Sequence, residues 1–165
     1  MGKNVLFAVL IAGATAASAL AFDGKVVTVP DEQTEAESVI KDWLDSRGLD
    51  CEQKSHALVF TKDKIALTIY PLVSKKEIDR LIVVCEYAPS EEYKDTKELE
   101  SFASNLNSSQ NFFKVFINKQ GDLIVQGNLT FYDELTAREF DSYTDAYILN
   151  LRQYVLNKKG LKYLK

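Results

Sequence analysis

Between Ala57 and Tyr87 the chain holds three runs of strand-favouring residues whose connections are too short to carry a crossover helix. Parallel neighbours need a dozen or more linking residues, so this stretch points to an antiparallel meander. Ala57 to Thr61 and Ile65 to Tyr70 flank a tight turn at Lys62-Asp63-Lys64. Pro71 is read as closing the second run, because proline is kept out of strand interiors. Leu81 to Tyr87 is almost unbroken in apolar residues, which predicts a strand covered on both faces. The intervening Ser74 to Asp79 is short and polar, as a loop or hairpin connection would be. Further on, Phe112 to Ile117 and Asp122 to Gln126 form a second hairpin around Asn118-Lys119-Gln120-Gly121, with Gly121 free to take a positive φ.

Three helices interrupt these strands. Thr34 and Glu37 make a capping box ahead of Ala36, Val39, Ile40, Trp43 and Leu44 at helical spacing, and Gly48 supplies the stop. A second helix is predicted over Thr96 to Asn107, capped by Asp95 with Glu98 and buried through Leu99, Phe102, Ala103 and Leu106. The third opens on a capping box at Thr136 and Glu139, with Leu135 placed to staple onto Phe140. It continues through Tyr143, Tyr147, Leu151, Tyr154 and Val155 until Gly160 ends it. The order α-β-β-β-α-β-β-α predicts an α+β domain, a mainly antiparallel sheet of about five strands packed on three helices. Residues 34–160 are expected to form this single domain, and residues 22–33, acidic and carrying Pro30, a flexible leader.

The first 21 residues have the layout of a secretory signal: one early charge at Lys3, an uncharged run from Val5 to Ala21, and small residues crowding its end. Cleavage is expected before Leu20 or before Phe22. The rival reading is an uncleaved anchor, for which the run is slightly short of the ~20 apolar residues that span a bilayer. Export predicts a periplasmic or secreted protein with no stable membrane insertion after cleavage. Losing Lys3 moves the side-chain charge from −4 to about −5, which favours no nonspecific binding to nucleic acid or anionic lipid. Lys158, Lys159, Lys162 and Lys165 read as a dipole-favoured helix end followed by a solvated terminus.

Chemistry is sparse. His56 is the only histidine and reads as a neutral surface residue, with no cysteine or second histidine at ligand spacing. No catalytic residue, cofactor site or metal site is predicted, and the seven glycines form no phosphate loop. In an oxidising compartment Cys51 and Cys85 are a candidate disulfide; the alternative is two buried thiols acting as small hydrophobes. Tyr132, Tyr143, Tyr147 and Tyr154 are a candidate partner-binding surface, since tyrosine joins an apolar ring to a polar tip. The competing reading is that these rings cover the sheet as a core stripe.

Residues Phe102 to Val155 resemble the YbjN family. The resemblance rests on Ala103-Ser104-Asn105-Leu106-Asn107 ending a helix, and on the strand Phe113-Lys114-Val115-Phe116. It continues through the turn Asn118-Lys119-Gln120-Gly121-Asp122-Leu123 and Leu135-Thr136 opening the last helix. Taken with the helix ending at Arg47-Gly48-Leu49 and the strands up to Glu86, it covers about residues 34–156. It implies a fold similar to type III secretion chaperones, which are dimers that hold an unfolded partner segment. It also implies the label of candidate regulator of sensory transduction, with no catalytic residue to carry over. The export signal is a departure from such cytoplasmic roles. The expectation is therefore a bacterial envelope module that binds a protein or peptide, as a homodimer or alone. The alternative is a small envelope enzyme or ligand carrier using a carboxylate or tyrosine site.

Overall fold

A computed structural model describes residues 25–75 and 78–165. The predicted export signal, residues 1–21, lies outside the described residues. The meander consists of β3 (Ala57–Lys62), β4 (Ile65–Leu72) and β5 (Asp79–Tyr87), preceded by a short β2 (Glu52–Lys54). The later hairpin pairs β6 (Lys114–Ile117) with β7 (Leu123–Phe131). All six form one antiparallel sheet in the order β2-β3-β4-β5-β7-β6, so β7, not β6, joins the meander.

Strand alternation sends every second side chain toward one face. Phe60, Leu67, Cys85, Val125 and Val115 stand in one buried row across five strands, and Leu58, Ile69 and Val83 in the next. The fourth place of that second row is Gly127, opposite Val83. The missing side chain leaves room for the rings of Tyr143 and Tyr147; a Cβ there would lie 2.2 Å from the Tyr143 hydroxyl oxygen. β5 alternates rather than being covered on both faces: Leu81, Val83 and Cys85 are buried, whereas Arg80 and Glu86 are exposed. Pro71 lies within β4, paired with Leu81. It is tolerated there because β3 pairs with β4 only as far as Ile69, so no neighbour on that side asks Pro71 for an N–H.

Three helices supply the rest of the core: α1 (Gln33–Ser46), α2 (Lys97–Ser109) and α3 (Ala137–Asn150). The capping box at Thr136 and Glu139 forms as predicted. The first two caps differ from expectation. Glu32, not Thr34, caps α1 by accepting from the Glu35 N–H at 2.8 Å. Glu37 cannot reach back because its carboxylate is buried, accepting from Gln33 and Gln53 and contacting His56. Thr96, not Asp95, caps α2. Arg47 then ties α1 to α3: it pairs with Asp141 at 2.6 Å and lies 4.5 Å from the Trp43 ring centroid and 5.3 Å from that of Phe140.

The expected flexible leader is a correction. Val26–Thr28 is a strand, β1, paired antiparallel with β8 (Glu134–Thr136), and Val27 and Leu135 are both buried. A three-residue strand shows too little periodicity to be read from sequence. The outer edge of β6 is closed by a side chain. Asn107 at the end of α2 accepts from the Val115 N–H at 2.8 Å and donates to its carbonyl at 2.7 Å, as a neighbouring strand would.

Two glycine exchanges should have opposite signs. Gly127→Ala should cost about 1–3 kcal/mol by overpacking against the two tyrosines. Asp63 and Lys64 form the two-residue turn between β3 and β4 with φ of 50° and 67°. Lys64→Gly should therefore gain about 0.5–1 kcal/mol by removing a left-handed L-residue. Urea unfolding followed by circular dichroism measures both.

Candidate functional site

A concavity with a volume of about 1180 Å³ runs along one whole face of α2, from Lys97 to Ser109. Its far wall is the C-terminal segment. α3 does not stop at Asn150 but passes into a π-helical turn, Leu151–Val155, marked by the Leu156 N–H donating to the Leu151 carbonyl at 2.8 Å. Tyr147, Leu151 and Val155 recur every four residues, a spacing that drifts off a 3.6-residue face. The wider turn brings Leu151 and Val155 back into the core. It leaves Tyr154 half-buried on the groove wall.

Asn157 turns the chain after this. Its side-chain oxygen accepts from the Lys159 and Gly160 N–H groups at 2.9 and 3.1 Å, and its amide donates to the Gln153 carbonyl. Gly160 serves close approach rather than helix ending, since a Cβ there would sit 1.8 Å from the Val155 carbonyl oxygen. The tail then folds back as a strap. The Ser90 N–H donates to the Tyr163 carbonyl at 2.8 Å, and the Lys165 N–H to the Ala88 carbonyl at 3.1 Å. Tyr163 stacks on Phe102 of α2 at 4.8 Å and meets Tyr93 edge-on at 4.9 Å. Phe102, Leu106, Tyr154 and Tyr163 thus give the groove its apolar lining, and Lys97, Lys158, Lys159 and Lys162 its rim. The Lys162 ammonium lies 4.9 Å from the Tyr93 ring centroid, and a hydrogen bond to Tyr93 raises its pKa, so it stays charged.

Of the four predicted tyrosines, only Tyr154 lines this groove. Tyr147 is fully buried and its hydroxyl donates to the Val125 carbonyl at 2.7 Å, so it is a core residue and no part of a surface. Tyr143 is half-buried, stacked against Phe112 at 5.5 Å. Tyr132 is 74% exposed beyond the end of β7, away from the groove lining. The stripe is a core stripe over most of its length, because helical spacing places its members under the sheet. Phe102, Tyr163 and the lysine rim escaped the sequence reading. Leu161, Tyr163 and Leu164 in a tail read as solvated were the available signal.

Cys51 and Cys85 carry free thiols and do not form the candidate bridge. Continuing the strand registers sets Cys51 opposite Phe60, Phe60 opposite Leu67, and Leu67 opposite Cys85. Three inter-strand spacings, roughly 14 Å, separate the cysteines, well beyond disulfide reach. Both are buried, and the Cys85 thiol donates to the Ala66 carbonyl at 3.3 Å. Burial pushes both thiols up to about 11, with Asp45 adding to the effect at Cys51. His56 is at the surface, 3.1 Å from the buried Glu37 carboxylate. Among the described residues no three His, Cys, Asp or Glu side chains converge on a metal position.

No protein-family model matches this chain, and no curated protein matches it. Among solved structures it aligns with that of YbjN, a candidate transcription regulator from E. coli. The TM-score is 0.60, over 78% of this chain and 94% of that one. The fold is similar to that of YbjN. Sequence identity is 16%, so the likeness to YbjN is one of architecture.

The thiols lead to two expectations. Native protein purified without reductant should show two free thiols after denaturation, and alkylation of the folded state at neutral pH should be slow. A thiol that folding raises from 9.0 to about 11 holds its proton longer than the unfolded chain does. That contribution is complete below about pH 9 and is lost as the pH climbs to about 11. Tyr87, Tyr143 and Tyr147, raised by burial, act in the same direction. Urea midpoints should therefore fall between pH 9 and pH 11.

Proposed function

We propose that this chain is an exported, non-enzymatic binding module of the bacterial cell envelope that holds a protein or peptide segment. The observation that carries the reading is the groove along α2. It pairs an apolar lining with a charged rim, and its walls are built by a helix and by a strap tied down at Ala88 and Ser90. Such a site offers what a polypeptide segment needs: ring surfaces to cover and charged groups to fix orientation. The similarity to YbjN, a candidate regulator, is in keeping with a module that acts by binding. Export is supported by the uncharged run from Val5 to Ala21 and the small residues closing it.

Site-specific photo-cross-linking in intact cells tests the reading. A cross-linker at Ser101, on the groove wall, should capture a defined partner, and Tyr154→Ala should abolish that adduct. A cross-linker at Thr130, exposed on the far face of the sheet, should not capture it. Equal capture from both positions, or none from Ser101, would overturn the groove as the binding site. The intact mass of the same protein should lack residues 1–19 or 1–21; full-length protein in the cytoplasm would remove the envelope assignment.

A further inference from the structure

The groove's charge runs against that of the chain around it. The whole sequence carries −4, yet four lysines and one carboxylate, Glu98, border this concavity. Lys97, Lys158 and Lys159 form no salt bridge with any described residue, and Lys162 is held over the Tyr93 and Tyr163 rings. Ammonium groups gathered beside ring surface attract a partner that supplies negative charge. The concavity is open to solvent and follows α2 for its full length, roughly 18 Å at 1.5 Å per residue. That shape fits a chain laid along it better than an acyl tail, which is held in an enclosed cavity.

We infer that the segment bound in this groove is acidic and amphipathic, its apolar side chains on Phe102, Tyr154 and Tyr163 and its carboxylates facing Lys97, Lys158 and Lys159. The inference rests on the reading of the groove as a polypeptide site and names the chemistry of its partner. The apolar contacts provide adhesion that salt does not screen. The lysines choose among segments that share an apolar pattern, and they speed encounter. Because Lys158 and Lys159 are exposed and form no salt bridge with any described residue, reversing their charge leaves the core intact.

Fluorescence anisotropy on the purified mature chain tests this with three labelled peptides of about 12 residues. All share the same Leu and Phe positions, and the polar positions are all Glu, all Gln or all Lys. The Glu peptide should bind about tenfold tighter than the Gln peptide at low salt, as three or four surface ion pairs together allow, and the Lys peptide weakest. The gap between Glu and Gln should close at high salt. The double variant Lys158→Glu with Lys159→Glu should reverse the order of the Glu and Lys peptides, with its circular dichroism spectrum unchanged. Equal binding of the Glu and Gln peptides would overturn the acidic partner while keeping the groove as a peptide site. Failure of all three to bind, or binding indifferent to Tyr154→Ala, would overturn the groove reading itself. Vesicles of phosphatidylglycerol form a fourth arm; lysine-dependent binding to them without binding of the Glu peptide would replace the acidic segment with a lipid surface.

Discussion

The pairing of β5 with β7 is the interaction on which the rest of the structure depends. It runs in unbroken register from Asp79 opposite Phe131 to Tyr87 opposite Leu123. It joins two parts of the chain that are separated by α2 and β6. Without it the meander and the later hairpin would be separate ribbons, each with a bare edge. With it, β7 is interior, β6 is displaced to the border, and α2 must lie beside that border. Asn107 can then close β6 through Val115, which explains an asparagine in the last turn of this helix. Loop closure over so long a separation has to be repaid by burial, and the continuous apolar rows across the sheet supply it.

The helical layer follows from the same register. Gly127 opposite Val83 leaves a gap that the rings of Tyr143 and Tyr147 fill, and the Tyr147 hydroxyl finds its acceptor on Val125 of the same strand. α3 is thereby locked over β7, and Arg47 locks α1 to α3 through Asp141 while stacked on Trp43 and Phe140. Lys62 of β3 adds a third tie, reaching Asp145 at 2.7 Å and the Thr144 hydroxyl at 2.7 Å. Because α3 is held along its length, the chain changes direction only after the π turn at its end, at Asn157. That change of direction sends the tail back across α2 and so creates the groove.

Much of this was legible where a pattern repeats. The strands β3, β4 and β5, the hairpin turn at Gly121, and the capping box at Thr136 and Glu139 each have a period or a residue chemistry that speaks locally. The misreadings share one cause, namely that a neighbour distant in sequence overrode a local signal. Pro71 stays in a strand because β3 has already ended beside it. Glu37 leaves its cap because Gln33, Gln53 and His56 satisfy it indoors. Residues 26–28 are a strand only because β8 lies beside them, and β2 has no apolar residue to announce it. The predicted tyrosine surface mixed core with periphery, since helical spacing tells which residues share a face but not what that face meets.

By itself the sequence determined the class, α+β, and its parts, an antiparallel sheet and three helices. These follow from periodicity, connection length and residue chemistry, all of which act over a few residues. Only the tertiary structure decided the strand order, the separation of Cys51 from Cys85 by two intervening strands, and the assembly of a lysine-rimmed aromatic groove from α2 and the tail. Those features bring together residues tens of positions apart. Their energies come from burial and pairing that exist only once β5 has found β7.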